Sequence, residues 1–197
     1  MTAYFRGGIG SGPPSCRPVD SYPLDPSQEP GSMLRFAPID LDTHGDLSVR
    51  FKQEAFLVSS GSIDPFYEVY GNDPENYLDW VRHGLQHDPE SRVHVWCGGS
   101  IVGQVELSEN SDYPGAGYVH LYFLVPELRG RGSGAELDDY ATLFFKHRGV
   151  QAARLSVSRT NPGALAFYAR QGWVPLGPRD DHPASFLFEK QFEGSEG

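Results

Sequence analysis

The stretch that most limits what this chain can become is Leu124-Val125-Pro126-Glu127-Leu128-Arg129-Gly130-Arg131-Gly132-Ser133-Gly134-Ala135. It overlaps the end of an aromatic and β-branched run, Tyr118–Val125, whose composition is that of a buried strand. It leads into an amphipathic pattern from about Ser133 to His147, in which Leu137, Ala141, Phe144 and Phe145 share a face and Gly149 is the stop signal. Between strand and helix the glycines alternate. Glycine lets backbone N–H groups approach a ligand closely and adopt positive φ. A helix start adds donors without internal partners and the positive end of a dipole. Together these make an anion site. Arg129 and Arg131 add positive charge there, in a chain whose formal net charge is −10. Two other phosphate loops do not fit. A P-loop needs Lys-Ser/Thr after its last glycine, where this chain has Ala135 and Glu136. The dinucleotide pattern is G-x-G-x-x-G, and this loop reads G-x-G-x-G.

The flanking pattern predicts the rest of the fold. Leu34–Pro38 reads as a short strand. Asp40 or Asp42 caps a helix to about Ser59, with Leu47, Phe51, Ala55 and Phe56 on one face. Residues 61–72 read as a loop. Asp73 as N-cap and Pro74 in the first turn open a helix to about His87, striped by Tyr77, Trp80, Val81 and Leu85. Val93, Val95 and Cys97 alternate with His94 and Trp96, Gly98-Gly99 signals a tight turn, and Ile101–Leu107 returns as a strand. Residues 110–117 and 126–131 read as loops. Ala153–Ser158 is a strand, Asn161 and Pro162 open a short helix, Gly163–Arg170, which Gly172 closes, and Trp173–Leu176 with Ser185–Phe192 forms a final hairpin. This order predicts a mixed α/β (α+β) domain, a helix-covered sheet with antiparallel hairpins at both ends and a βαβα unit between them.

With 197 residues and 39% hydrophobic content the chain suits one compact domain, large enough to bury a core without staples. Residues 1–32 are rich in Gly, Pro and Ser and are expected to be a flexible leader. The domain is expected over 33–193, with a tail at 194–197. Cys16 and Cys97 read as two reduced thiols of a cytoplasmic protein. No apolar stretch reaches membrane-span length, and the N-terminus has no continuous apolar core of a secretory signal. The acidic charge repels duplex nucleic acid and favours cationic partners such as amines. The histidines show no zinc spacing, so no metal is expected.

The run Arg129-Gly130-Arg131-Gly132-Ser133-Gly134 resembles the R/Q-x-x-G-x-G/A signature of the GNAT N-acetyltransferase superfamily. The segment Asn161-Pro162-Gly163-Ala164-Leu165-Ala166-Phe167-Tyr168-Ala169-Arg170-Gln171-Gly172-Trp173 is similar to that family's N-x-x-A-x-x-x-Y-x-x-x-G-F/W segment. Both motifs stand in the family's order, and the specific part of the resemblance covers about Tyr118–Val174.

The resemblance implies a central mixed, mostly antiparallel sheet with splayed parallel strands, flanked by helices. It implies acetyl-CoA as co-substrate and direct transfer of the acetyl group to a primary amine. The pantetheine arm would pair with backbone near Phe123 and Leu124, and a nearby N–H would hold the tetrahedral oxyanion. The pyrophosphate would rest on amides of Gly130, Arg131, Gly132, Ser133, Gly134 and Ala135. Arg129 would serve either the phosphate or the loop itself. Asn161 would reach the pantetheine, cap the following helix, or both. Tyr168 would be the general acid for the leaving thiolate, the alternative being a core tyrosine. For the general base there are two candidates. One is Glu106, alternatively a solvated strand-end carboxylate. The other is His120, alternatively a packed strand histidine, with Tyr118 and Tyr122 expected on its face. Relatives that acetylate nascent chains often carry a glutamate on the strand before the asparagine, and the aligned residue here is Ser156. The acceptor is therefore expected to be a small-molecule amine, with a protein N-terminus or lysine as the alternative, and Tyr67, Tyr70, Asp112 and Tyr113 could line its site. A non-catalytic acyl-CoA-binding module would keep the loop and lose the acid and base. By analogy a homodimer is compatible.

Overall fold

The computed structural model describes residues 34–109 and 115–192. The expected leader, the tail, Cys16, Asp112 and Tyr113 lie outside the described residues. The chain runs β1 (Arg35–Pro38), α1 (Leu41–Ser60), α2 (Asp64–Tyr70), α3 (Pro74–His87), β2 (Arg92–Cys97), β3 (Ser100–Ser108), β4 (Ala116–Leu124), α4 (Ser133–His147), β5 (Ala152–Ser158), α5 (Pro162–Arg170), β6 (Val174–Pro178) and β7 (Ser185–Gln191). Single 3-10 turns precede β2 and follow β4.

Capping chemistry sets the helix starts. The Asp40 carboxylate accepts from the N–H groups of Asp42 and Thr43, which settles the choice between Asp40 and Asp42. Asp73 accepts from Glu75 N–H, and Asn161 from Ala164 N–H; each satisfies a donor the helix cannot. The expected loop over 61–72 instead contains α2. Asp64 and Pro65 open it as a good first turn, and it buries Phe66 against Tyr77 and Val81 of α3. Strand β4 begins at Ala116, inside the expected loop over 110–117.

The seven strands form one sheet in the order β1-β2-β3-β4-β5-β7-β6. Every pairing is antiparallel except β4 with β5. That parallel pair is joined only at Ala116–Ala152, Gly117–Ala153 and Tyr118–Arg154, after which the two strands diverge. The α4 face buries Leu137, Ala141, Phe144 and Phe145 against Val105, Leu107, Val119 and Leu155, with Leu165 and Tyr168 of α5 at its margin. On the other face Phe51 of α1 packs on Leu121 and Phe123.

Strand β4 is not regular. Glu106 opposes Leu121 and Leu107 opposes Val119, so His120 is an extra residue on β4. Such a bulge re-aims the side chains beyond it. Val119 faces α4, His120 and Leu121 both face the α1 side, and Tyr122 returns to the α4 side. The alternation expected to place Tyr122 beside His120 therefore fails. Only Tyr118 accompanies His120, at 5.0 Å between ring centres.

Cys97 is disulfide-bonded, so the reading of two reduced thiols is corrected for this residue. Among the described residues no helix is long and apolar enough to cross a membrane.

Candidate active site

The loop after β4 has the geometry its glycines imply. Gly130 and Gly132 take φ of 72° and 95°, and Gly132 is the N-cap of α4 without a side-chain capping bond. A Cβ at either position would meet nothing within 4 Å, so open space lies beside the backbone. Ala135 turns its N–H back onto the Gly132 carbonyl at 2.8 Å. The N–H groups of Ser133 and Gly134, one residue nearer the helix start, remain for an anion. Gly134 also has a packing role, because a Cβ there would come within 3.0 Å of the Phe167 ring on α5. Ser133 is buried and Arg131 is exposed.

Arg129 folds back onto the end of β4. Its Nε donates to the Leu124 carbonyl at 2.7 Å and its guanidinium lies 5.3 Å from the centre of the Phe123 ring. Phe123 itself is buried against Phe51 at 4.6 Å. The N–H of Val125 bonds to Val102 on β3. By strand alternation the N–H of Leu124 points the other way, to the side from which β5 has diverged.

Tyr168 comes from α5 toward the same gap. Its ring lies 6.0 Å from Tyr122, 5.9 Å from Trp173 and 6.4 Å from Phe188. Among the described residues its hydroxyl has no hydrogen-bond partner. Burial, and then the charge of Asp138, push its pKa above the ordinary phenol value, so the phenol keeps its proton at working pH. Asp138 is itself buried and held by Trp173 Nε1 and Lys190 Nζ, each at 2.7 Å. It ties α4 to β7 beneath the tyrosine. Asn161 spends its side-chain oxygen on the α5 cap at 3.0 Å.

The two base candidates have separated. Glu106 has no exposed surface, which overturns its description as a solvated strand-end carboxylate. It receives Lys52 Nζ at 2.6 Å, the Tyr77 hydroxyl at 2.5 Å and Gln104 Nε2 at 2.8 Å. Burial alone would raise its pKa. Lys52 and Arg92, with the bonds from Lys52 and Tyr77, outweigh that and hold it below the usual carboxylate value. A base must reach the proton it takes, and this carboxylate is enclosed. Its geometry is that of a buried counter-charge. The same Lys52 ammonium donates to the His120 carbonyl at 3.2 Å, so it also anchors the bulge. Sequence reasoning missed Lys52. Its signal was a lysine one turn beyond Ser48 on a helix face that also carries Val49 and Phe51, all of them buried.

His120 lies on the α1 face with its Nε2 2.9 Å from Ser108 Oγ and its ring 5.0 Å from Trp80. Burial first, then the charges of Lys52 and Arg92, depress its pKa to about 3. Buried His94, bonded to Ser48 at 3.0 Å, is depressed to about 4 by burial and by His44. In the unfolded chain both would titrate near ~6.5. Above that pH neither state carries these protons. As pH falls from about 6.5 towards 4 the unfolded chain binds them and the folded protein does not. Stability is therefore expected to fall by about 1.4 kcal/mol per proton per pH unit over that window. Thermal unfolding between pH 7 and pH 4 checks this. His120→Gln should decline less steeply than wild type, and an unchanged slope would remove His120 from the account.

Tyr118 closes the start of the gap. Its hydroxyl is 2.7 Å from Ser156 Oγ on β5, and Arg179 donates to that serine at 3.0 Å. Ser156 is thus engaged in a hydroxyl–guanidinium cluster on the same face as His120.

A seven-stranded mixed sheet opened between two parallel strands, with an uncapped glycine loop at the mouth and a protonated phenol across it, defines an acyl-CoA-dependent acyltransferase. The sequence profile of the acetyltransferase (GNAT) family matches residues 58–173, and the chain belongs to that family. It is 34% identical over 120 residues to an uncharacterised N-acetyltransferase of Archaeoglobus fulgidus, covering 59% of this chain and 80% of that one. It is 27% identical over 124 residues to an uncharacterised N-acetyltransferase of Methanocaldococcus jannaschii, covering 61% of this chain and 54% of the relative, so it spans about half of that protein. The fold is similar to the PaiA N-acetyltransferase of Thermoplasma acidophilum crystallised with coenzyme A, with a TM-score of 0.66, 16% identity, and coverage of 81% of this chain and 99% of that one. Among the described residues no group of three or more His, Cys, Asp or Glu side chains could hold a metal ion.

Proposed function

We propose that this enzyme transfers the acetyl group of acetyl-CoA to the primary amine of a small molecule by direct attack, with Tyr168 as general acid. The observation that carries the reading is the divergence of β4 from β5 beyond Tyr118, which opens strand-edge groups between the Gly132 loop and Tyr168. The pyrophosphate would take the open N–H groups of residues 130–134, with Arg131 adding charge. The pantetheine would lie along β4 beside Phe123 and Leu124, within reach of the Asn161 amide. Arg129 would act by shaping the loop.

In the reaction a neutral amine attacks the thioester carbonyl and a C–N bond forms. The oxyanion is held by the N–H of Leu124. Collapse breaks the C–S bond, the sulfur takes the electron pair, Tyr168 donates its proton to it, and the phenolate regains a proton from water as the products leave. The amine proton leaves on the α1 side, where His120 is the accessible acceptor. So depressed an imidazole is neutral and accepts a hydrogen bond, but holds a proton weakly, so it would pass the proton to water. Glu106 would act at one remove, holding Lys52 against the bulge. The small-molecule reading rests on Ser156, which stands where nascent-chain relatives often have a glutamate and is occupied by Tyr118 and Arg179.

Titration calorimetry with acetyl-CoA tests the seat. Gly132→Glu/Gly134→Glu is expected to abolish binding, because the first puts a carboxylate beside the open N–H groups and the second drives a side chain against the Phe167 ring that packs on the helix start. Arg131→Ala, at an exposed position, should weaken binding without unfolding the protein. Full-strength binding by a folded double variant would move the cofactor elsewhere.

A further inference from the structure

A second recess opens on the α1 side of the sheet, at the end remote from the glycine loop. It is a cavity of about 280 Å³ lined by α3, the start of β2, the end of β3 and His120 of β4, and it reaches Phe144 of α4 at the margin of the sheet. Its notable member is Arg92, with only 4% of its surface exposed. The guanidinium stacks on Trp80 at 4.0 Å and donates through one terminal nitrogen to the carbonyls of Ser91 and Leu107. Its Nε has no partner. Among the described residues no carboxylate pairs with it. Glu106 is taken by Lys52, Tyr77 and Gln104, while Asp88 and Glu109, which also line the cavity, pair with Arg148 at 2.5 and 3.3 Å. Glu106, directly across from it on β3, offsets its charge without bonding to it, so this buried guanidinium keeps a donor with no acceptor, an arrangement that an arriving anion would relieve. The chain makes room for this guanidinium, since a Cβ at Gly84 would stand 3.0 Å from its Cζ and Nε.

The same cavity is lined by His120, the accessible proton acceptor. Arg92 opposes Glu106, and Glu106 opposes Leu121, next to His120. The two backbones are therefore two strand spacings apart, roughly 10 Å, and their side chains face one recess. We propose that Arg92 is the anion anchor of the acceptor site, and that the acceptor is an amino acid or short ω-amino acid whose carboxylate docks on Arg92 while its amine is presented at His120. Arginine suits this role because its fork is matched to a carboxylate and stays charged. Asp88 and Glu109 are bonded to Arg148 and not to Arg92. The inference rests on the acetyltransferase reading above and specifies its substrate class.

The experiment compares amino acids and ω-amino acids with their own carboxamides, following thiol release from acetyl-CoA at matched concentrations of neutral amine. Each pair shares its amine and its size and differs in the charge of one group. For wild type, kcat/KM for the acids is expected to exceed that for the amides by about 10- to 100-fold, the range of a charged hydrogen bond at a buried site. In Arg92→Met, which keeps the side chain's length and apolar stem, that ratio should fall to near one whatever the absolute rates. A wild-type ratio near one, with amines acetylated, overturns the carboxylate anchor and leaves the acetyltransferase reading intact. A wild-type preference that survives in a folded Arg92→Met protein also overturns it. Thiol release with none of the amines, from protein that binds acetyl-CoA, would instead count against the small-molecule reading.

Discussion

Replacing Lys52 by methionine is expected to destabilise the protein by about 3–5 kcal/mol, the range for removing one partner of a buried ion pair. The size follows from what is left behind. Glu106 is fully buried, its remaining hydrogen-bond partners, Tyr77 and Gln104, are neutral, and Arg92 offsets its charge without bonding to it. Without the ammonium it must either remain charged in the interior or take up a proton. The linkage has a definite sign. A carboxyl held below its unfolded value contributes stability that is present above that value and lost as pH falls through the folded one. Lys52→Met removes that contribution and should make the loss of stability with acid shallower. Urea unfolding of Lys52→Met, Glu106→Leu and Lys52→Met/Glu106→Leu separates charge from packing. The double variant should regain most of the loss, since it removes both members of the pair together. If the double variant is as unstable as the singles, the ion pair is not the source. The pair also has a second readout, because Lys52 holds the His120 carbonyl at the bulge. The double variant should recover stability without recovering the acetylation rate.

Tyr168→Phe is expected to lower kcat by about 100-fold or more while acetyl-CoA still binds, at the lower end of the range for general acid catalysis. The lower end is expected because burial and Asp138 make the phenol a weaker acid than tyrosine in water. In the proposed mechanism its contribution is a hydrogen bond that strengthens as charge builds on the sulfur, with proton transfer following. The substitution removes one hydroxyl with no hydrogen-bond partner among the described residues, so folding should be little affected. Comparing CoA-ester substrates with leaving thiols of different basicity sharpens the test. The variant should lose most on the most basic thiolate. An unchanged kcat, measured under conditions where chemistry is rate-limiting, would return Tyr168 to the status of a core tyrosine.

Much of the fold was legible because its signals are local. Asp40, Asp73 and Asn161 each precede a helix by one residue and cap it, and strand alternation found β2 and β3. Helix α2 was missed because Pro65 and the surrounding glycines read as loop. What makes it a helix is Phe66 packing on α3, a contact that no window of sequence contains. The site divides in the same way. The glycine loop and Tyr168 are linear motifs and can be read as candidates from the sequence. The surroundings of Lys52, Arg92 and Asp138 cannot, because each is set by residues far along the chain: Glu106 for the first, Trp80 and the cavity for the second, Trp173 and Lys190 for the third.

His120 shows where the division falls. Its identity, its strand and its place four residues before Leu124 belong to the sequence, as do the glycines that allow the backbone to turn at Gly130 and Gly132. An alternating pattern, however, assumes a regular ladder. Whether the ladder is regular depends on how β3 pairs with β4, and here Glu106 and Leu107 spend two residues against three. That single unpaired residue turns Tyr122 towards Tyr168 and leaves His120 facing Trp80 and the Arg92 cavity. Local propensity and motif determined which groups this protein carries for acyl transfer. Long-range strand pairing, and the buried charges that hold it, decided which of them face the same space.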